Sequence, residues 1–184
     1  NQGGAHTDFK GNIFVNAIGI RGIFFNLSTG SSSTLAVGKT ISVGTLGYAQ
    51  ACLVLNSFTQ LGAEPLEFLF TGINQALVID GNSVFNGPVH FKADSLTVNN
   101  TTFNNSAILE KTGDQKNWGG NTFNGVTTIA RGGAGFLFLG YPSPDTYNND
   151  VTFTNLDGDN HIYVNQGGAH TDFKGNIFVN AIGI

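Results

Sequence analysis

The sequence contains no methionine, one cysteine, one tryptophan and four prolines, and only 11% of its 184 residues are charged. Each shortage excludes something. A single cysteine cannot close an internal disulfide framework, so cross-links do not hold this chain together. Cys52 lies in the apolar run Ala51-Cys-Leu-Val-Leu55, where a buried, unreactive thiol is expected. Eight Lys and Arg against twelve Asp and Glu give a net charge of −4; without a basic stripe, nucleic acid is not an expected partner. No run approaches the roughly 18 apolar residues that a membrane-spanning helix requires. Helix formers are scarce, and no long segment repeats with a period near 3.6.

What the chain has is 26 glycines, 16 phenylalanines and a dense scatter of Asn, Thr and Ser, with 40% apolar residues. Turn formers mixed with β-branched and aromatic residues predict an all-β chain of many short strands. One feature organises the whole. Asn165–Ile184, NQGGAHTDFKGNIFVNAIGI, is identical to Asn1–Ile20 at all twenty positions. The expected organisation is one repeat unit over 1–164 and the start of the next over 165–184. A chain that opens on Asn1 and lacks Met reads as a window cut from a longer tandem array.

A shorter, imperfect period lies inside the long one. An aromatic residue, then Asn or Lys, then Gly or Asn, leads into a short alternating strand at Phe85–Phe91, Phe103–Leu109, Phe123–Ile129, Tyr147–Phe153 and Phe173–Val179. These anchors lie 18, 20, 24 and 26 residues apart. Phe9–Val15 is the same copy as 173–179, Val37–Val43 is a degenerate version, and a poorer one leads into Leu66-Glu-Phe68. A second strand follows each anchor by about ten residues, at Gly22–Asn26, Cys52–Asn56, Ala76–Ile79, Leu96–Asn99, Phe136–Leu139 and His161–Asn165. In the coil of Phe103 the polar run Glu110–Trp118 predicts that this second strand is missing.

Coils of this size cannot bury a face alone; stacked, they form parallel sheets around a continuous apolar interior. The predicted fold is a right-handed parallel β-helix, or β-solenoid, of about seven coils per 164 residues. The inward stack is expected at Phe9, Val37, Phe85, Phe103, Phe123, Tyr147 and Phe173. Asn86, Asn104, Asn124 and Asn148 follow four of these anchors and predict a ladder of side-chain amides along the axis. The Gly or Asn after them suits a corner with positive φ. Asn26–Thr34, Gly44–Gln50 and Gly140–Asp145, rich in Gly, Ser and Pro, read as surface loops.

Candidate chemistry is thin. A β-helix enzyme acting on polysaccharide needs carboxylates that converge on one exposed face, and the acidic residues here are scattered. Asp157-Gly-Asp-Asn160 resembles a Ca²⁺-binding loop, and with Asp145 and Asp150 it makes a weak Ca²⁺ site near Asp157 and Asp159 conceivable; a solvated turn needs the same residues. His6, His90, His161 and His170 have no metal-ligand spacing. Glu64-Pro-Leu-Glu67 reads as a solvated edge. Asn26-Leu-Ser28 and Asn104-Asn-Ser106 match the glycosylation sequon. Trp118 and Tyr141 are candidate surface aromatics for sugar or protein contact. No catalytic residue, cofactor or metal is expected.

The lines Gly120–Ile129 (GNTFNGVTTI) and Pro144–Asn155 (PDTYNNDVTFTN) resemble the repeats of very large surface proteins of Bacteroidetes. The resemblance is strong over about 82–180 and weak over 20–80. It implies export by a type IX system and a role as an adhesin or as a gliding or grappling-hook filament. The expectation is therefore a structural or adhesive repeat of an extracellular filament or cell-surface adhesin. Its partners would be neighbouring identical units, lateral copies through the loops, and another cell surface or glycan. The alternative is a carbohydrate-binding or polysaccharide-degrading β-helix. A fibre gains from exact duplication, whereas an enzyme needs one site.

Overall fold

A computed structural model of the protein describes residues 4–15, 22–26, 30–44, 51–157, 160–165 and 170–181. Among them there is no helix; every element is a strand of two to five residues. All paired strands run parallel, and each pairs with the strand one coil before or after it. The result is a parallel β-solenoid, in which each coil supplies the backbone partners of the next.

The first sheet is eight strands deep. Its order follows the chain: His6–Phe9, Ser32–Leu35, Phe58–Gln60, Val84–Phe85, Thr102–Phe103, Thr122–Phe123, Thr146–Tyr147 and Asp172–Phe173. The duplicated segment therefore occupies both edges of this sheet. The second sheet holds Leu66–Leu69, Val89–Ala93, Ala107–Lys111, Thr127–Arg131, Val151–Asn155 and Ile177–Ala181. Ile13–Val15 and Ile41–Val43 form a separate pair. The third face carries Ile23–Phe25, Cys52–Asn56, Ala76–Asp80 and Ser95–Val98, then, after a break, Lys116–Trp118, Leu137–Leu139 and Ile162–Tyr163.

Alternation with period two decides what is buried. Val89, Phe91 and Ala93 point inward while His90 and Lys92 point outward, and the same holds one coil on for Ala107, Leu109 and Lys111. Inward residues of successive coils meet in one continuous core, from Val15 and Leu35 to Tyr147 and Phe153.

Several sequence expectations change. Val37 is not in the stack: it is 68% exposed, in the turn after Leu35, and Leu35 pairs with Phe9 and fills the slot. Ser32–Leu35 is a strand that begins inside the stretch read as a loop over 26–34; residues 27–29 and 45–50 of the expected loops lie outside the described ones. The polar run after Phe103 does contain a strand, Lys116–Trp118. In place of a strand ladder it joins the coil below through an Asn99–Gly119 bridge and through the Trp118 indole Nε1, which donates to the Leu96 carbonyl at 2.8 Å. Cys52 is half-buried on an outward position of its strand, and burial raises its thiol pKa.

The corner after the anchors also differs. The Gly or Asn two places after the aromatic anchors does not have positive φ; positive φ occurs at the corner entering the first sheet, at Asn26, Ser57, Asn82, Asn100, Gly120 and Gly140, and in the turn after Leu35 at Gly38. The anchor corner needs glycine for a different reason. A Cβ on Gly125 would run into the backbone of Asn105 one coil below, so the corner alternates small over large.

Candidate functional site

The side chains of this solenoid are organised in columns parallel to its axis. The first is aromatic. Phe85, Phe103, Phe123, Tyr147 and Phe173 occupy one register position. Their ring centroids are separated by 5.5, 5.1, 4.8 and 4.9 Å, with planes within 13° of parallel. Strand spacing sets that distance, and offset stacking of rings adds about 0.5–1.5 kcal/mol per pair beyond burial. Phe9 continues the column at its first strand, half-buried and edge-on to Phe25 at 5.5 Å. Gln60 takes the slot below Phe85. It is fully buried because its amide donates to the Glu64 carbonyl and accepts from the Gly87 N–H, so a polar side chain is satisfied inside the core. Glu64 itself is tied down, accepting from the Gly38 N–H at 2.8 Å.

The second column is the amide ladder, unbroken. Asn86 Nδ2 donates to the Gln60 carbonyl at 2.8 Å. Asn104, Asn124 and Asn148 each donate to the Oδ1 of the asparagine below at 2.7, 2.7 and 2.6 Å. Lys174 Nζ then donates to Asn148 Oδ1 at 2.8 Å. Each amide uses its NH₂ downward and its oxygen upward, so no group is asked to serve twice. Of the sequon asparagines, Asn104 is a rung of this ladder, and Asn26 is buried with Nδ2 on the Asn56 carbonyl.

A third column, unexpected from the sequence, is polar and buried. Ser33, Ser83, Thr101, Asn121 and Asp145 lie two residues before their anchors and are at most 1% exposed. The last four hold backbone groups of the corner entering the first sheet, while Ser33 accepts from the Asn26 side chain. Asn121 Oδ1 accepts from the Thr101 N–H at 3.1 Å. Asp145 accepts from the N–H groups of Asn121 and Gly140, both at 2.8 Å. Burial raises the Asp145 carboxyl pKa to about 6, against the lowering effect of those hydrogen bonds. The Tyr147 hydroxyl is buried without a partner; its pKa is raised first by burial and then by the Asp145 charge.

Two cations are buried at the third corner, in register on adjacent coils. Lys111 Nζ donates to the carbonyls of Gly113 and Ala134, the latter at 2.9 Å. Arg131 donates to the carbonyls of Gly133 and Gly135 and pairs with Asp157. Burial first, and then the Arg131 charge, lowers the Lys111 pKa to about 8.

The expected Ca²⁺ loop does not assemble among the described residues. Asp157 holds the Arg131 guanidinium, Asp145 faces the interior, and Asp150 accepts from the Asn176 N–H. Asp159 lies outside the described residues. No group of three His, Cys, Asp or Glu among the described residues is placed to hold a metal. A second cluster of titratable side chains is on the outer face of the second sheet. There Glu110 meets His90 Nε2 at 2.7 Å and Lys92 Nζ at 3.0 Å, beside a recess of about 540 Å³ at the break between Ile41–Val43 and Leu66–Leu69. Of the two expected surface aromatics, Trp118 is fully buried and Tyr141 is 42% exposed.

The duplicated segment is the last feature. Among the described residues, its copy at one edge of the first sheet pairs with the coil above, and its copy at the other edge with the coil below. Together they show both faces. Above, Asp8, Phe9, Ile13 and Val15 pair with Thr34, Leu35, Ile41 and Val43. Below, the equivalents Asp172, Phe173, Ile177 and Val179 pair with Thr146, Tyr147, Val151 and Phe153. Asn176 donates downward to Asp150, while its equivalent Asn12 accepts from above, from the Thr40 N–H at 3.1 Å. No protein-family model, curated protein or solved structure matches this chain.

Proposed function

We propose that this chain is one unit of a structural or adhesive rod, an extracellular filament or cell-surface adhesin of the Bacteroidetes repeat type, whose units stack end to end as a right-handed helix. The observation that supports this reading is the two-faced segment. Its upward and downward contacts use different atoms, so one copy can serve both neighbours at once, as an interior coil must. Val179 is 72% exposed, whereas its equivalent Val15 is 5% exposed beneath the coil that follows it. The position is shaped to be covered. Edge strands with unpaired N–H and C=O groups seek such cover, and repeat arrays bury their faces only against neighbours.

The test is end-to-end association of the purified chain. Sedimentation velocity and electron microscopy should show rods that lengthen with concentration, with Val179→Lys returning them to single units and Val37→Lys leaving them long. A chain that stays monomeric at every concentration, or one whose association ignores Val179→Lys, would sink this reading.

A further inference from the structure

The outer side of the third face carries a step in side-chain size that no other column explains. Asn117, Phe138 and Tyr163 share one outward register position. Tyr163 covers one face of the Phe138 ring, with centroids 4.9 Å apart and planes 16° from parallel. The other face has only the short Asn117 beneath it. A recess of about 300 Å³ results, lined by Phe138, Tyr141, Gln115 and Asn117. Asn117 and Phe138 lie on strands, Gln115 immediately before the first of them, and Tyr141 in the turn after Leu139.

The lining states what would fit. One wall is the bare ring face of Phe138, backed by the Phe136, His161 and Tyr163 rings, which hold it in place. A second wall is Tyr141, an amphipathic ring with a hydroxyl at its tip. The remaining wall is two carboxamides, Gln115 and Asn117, both exposed, with no side-chain hydrogen bond to any described residue. Among the described residues, no charged side chain lines the recess. An aromatic face opposite unengaged amides matches a ligand that is apolar on one side and rich in hydroxyls on the other. We infer that this recess binds a neutral pyranose residue of a glycan, its C–H face on Phe138 and Tyr141 and its hydroxyls on the amides of Gln115 and Asn117. A nucleobase would share the stacking but brings phosphate, and the recess offers it no cation. The inference does not depend on rod formation. If units do stack, the recess recurs once per unit, and weak individual contacts add through multivalency.

Saturation-transfer NMR on the full chain tests this directly. The probes are methyl β-D-glucopyranoside, methyl α-D-mannopyranoside and methyl β-D-galactopyranoside, with glycerol and methyl glucuronide as controls. At least one neutral pyranoside should receive saturation on its ring C–H protons and shift the side-chain NH₂ signals of Gln115 and Asn117. Tyr141→Ala and Asn117→Ala should each weaken it about fivefold or more, and Tyr141→Ala, on an exposed turn, should leave the thermal midpoint unchanged. Transfer no greater than to glycerol, stronger binding of the glucuronide than of its neutral parent, or binding that survives Tyr141→Ala would each overturn the assignment.

Discussion

Replacing Asp145 by Asn should change how stability depends on pH more than it changes stability itself. The carboxylate sits at 1% exposure, holding the N–H groups of Asn121 and Gly140, and its folded-state pKa is about 6 against 3.8 for the free group. An acid whose pKa is raised by folding binds protons more tightly in the native state. Its stabilising contribution is therefore full below pH about 4 and is lost as pH rises through about 6. The difference between 3.8 and about 6, at about 1.4 kcal/mol per pH unit, amounts to about 3 kcal/mol. Asp145→Asn removes that slope. It adds a cost of its own, because the amide has one acceptor for two buried donors, about 1–3 kcal/mol. The variant should thus be clearly weaker than the parent near pH 4 and close to it near pH 7. Denaturant titrations across that range, followed by the fluorescence of the sole tryptophan, Trp118, one coil below, measure the difference directly. A difference between the two proteins that stays constant from pH 4 to pH 7 would refute the buried, double-acceptor carboxylate.

Two further outcomes follow from the other columns. Phe123→Ala, between Phe103 and Tyr147 at 1% exposure, should cost about 3–5 kcal/mol, while Val37→Ala should stay within about 0.5 kcal/mol; equal losses in denaturant titration would contradict the assigned stack. Lys111, with its pKa lowered to about 8, contributes stability that grows as pH rises from about 8 towards 10.5, so the parent's thermal midpoint should rise relative to that of Lys111→Met across that window; a constant difference would contradict the buried ammonium.

The aromatic column and the amide ladder were legible because both repeat residue types at fixed offsets from one anchor, and period two then decides which side they face. The slots at Leu35 and Gln60 were hidden. Leu35 ends a serine-rich strand with no aromatic signal, and the following Val37-Gly-Lys imitates the anchor and corner pattern. Gln60 is a polar residue buried through long-range bonds to Glu64 and Gly87, which no local pattern announces. The polar column could have been found, since Ser83, Thr101, Asn121 and Asp145 all stand two places before an anchor. The polar run Glu110–Trp118 concealed two buried side chains: Lys111 is buried because turn carbonyls surround its ammonium, and Trp118 because its indole Nε1 reaches the Leu96 carbonyl one coil below. The recess at Phe138 was not visible, because it depends on Asn117 lying beneath that ring, 21 residues away in sequence.

Because the backbone hydrogen bonds between coils lie along the axis, a pull on the two ends loads them one rung at a time rather than all together. Parting one rung frees a whole coil, for example the 26 residues from Tyr147 to Phe173. Drawn out, those residues span about 90 Å, in place of the roughly 4.8 Å they occupied as one rung. The next rung then meets the load with a nearly identical set of stacked rings and amides. A solenoid of this kind yields in successive steps, each releasing many times the folded length of one coil.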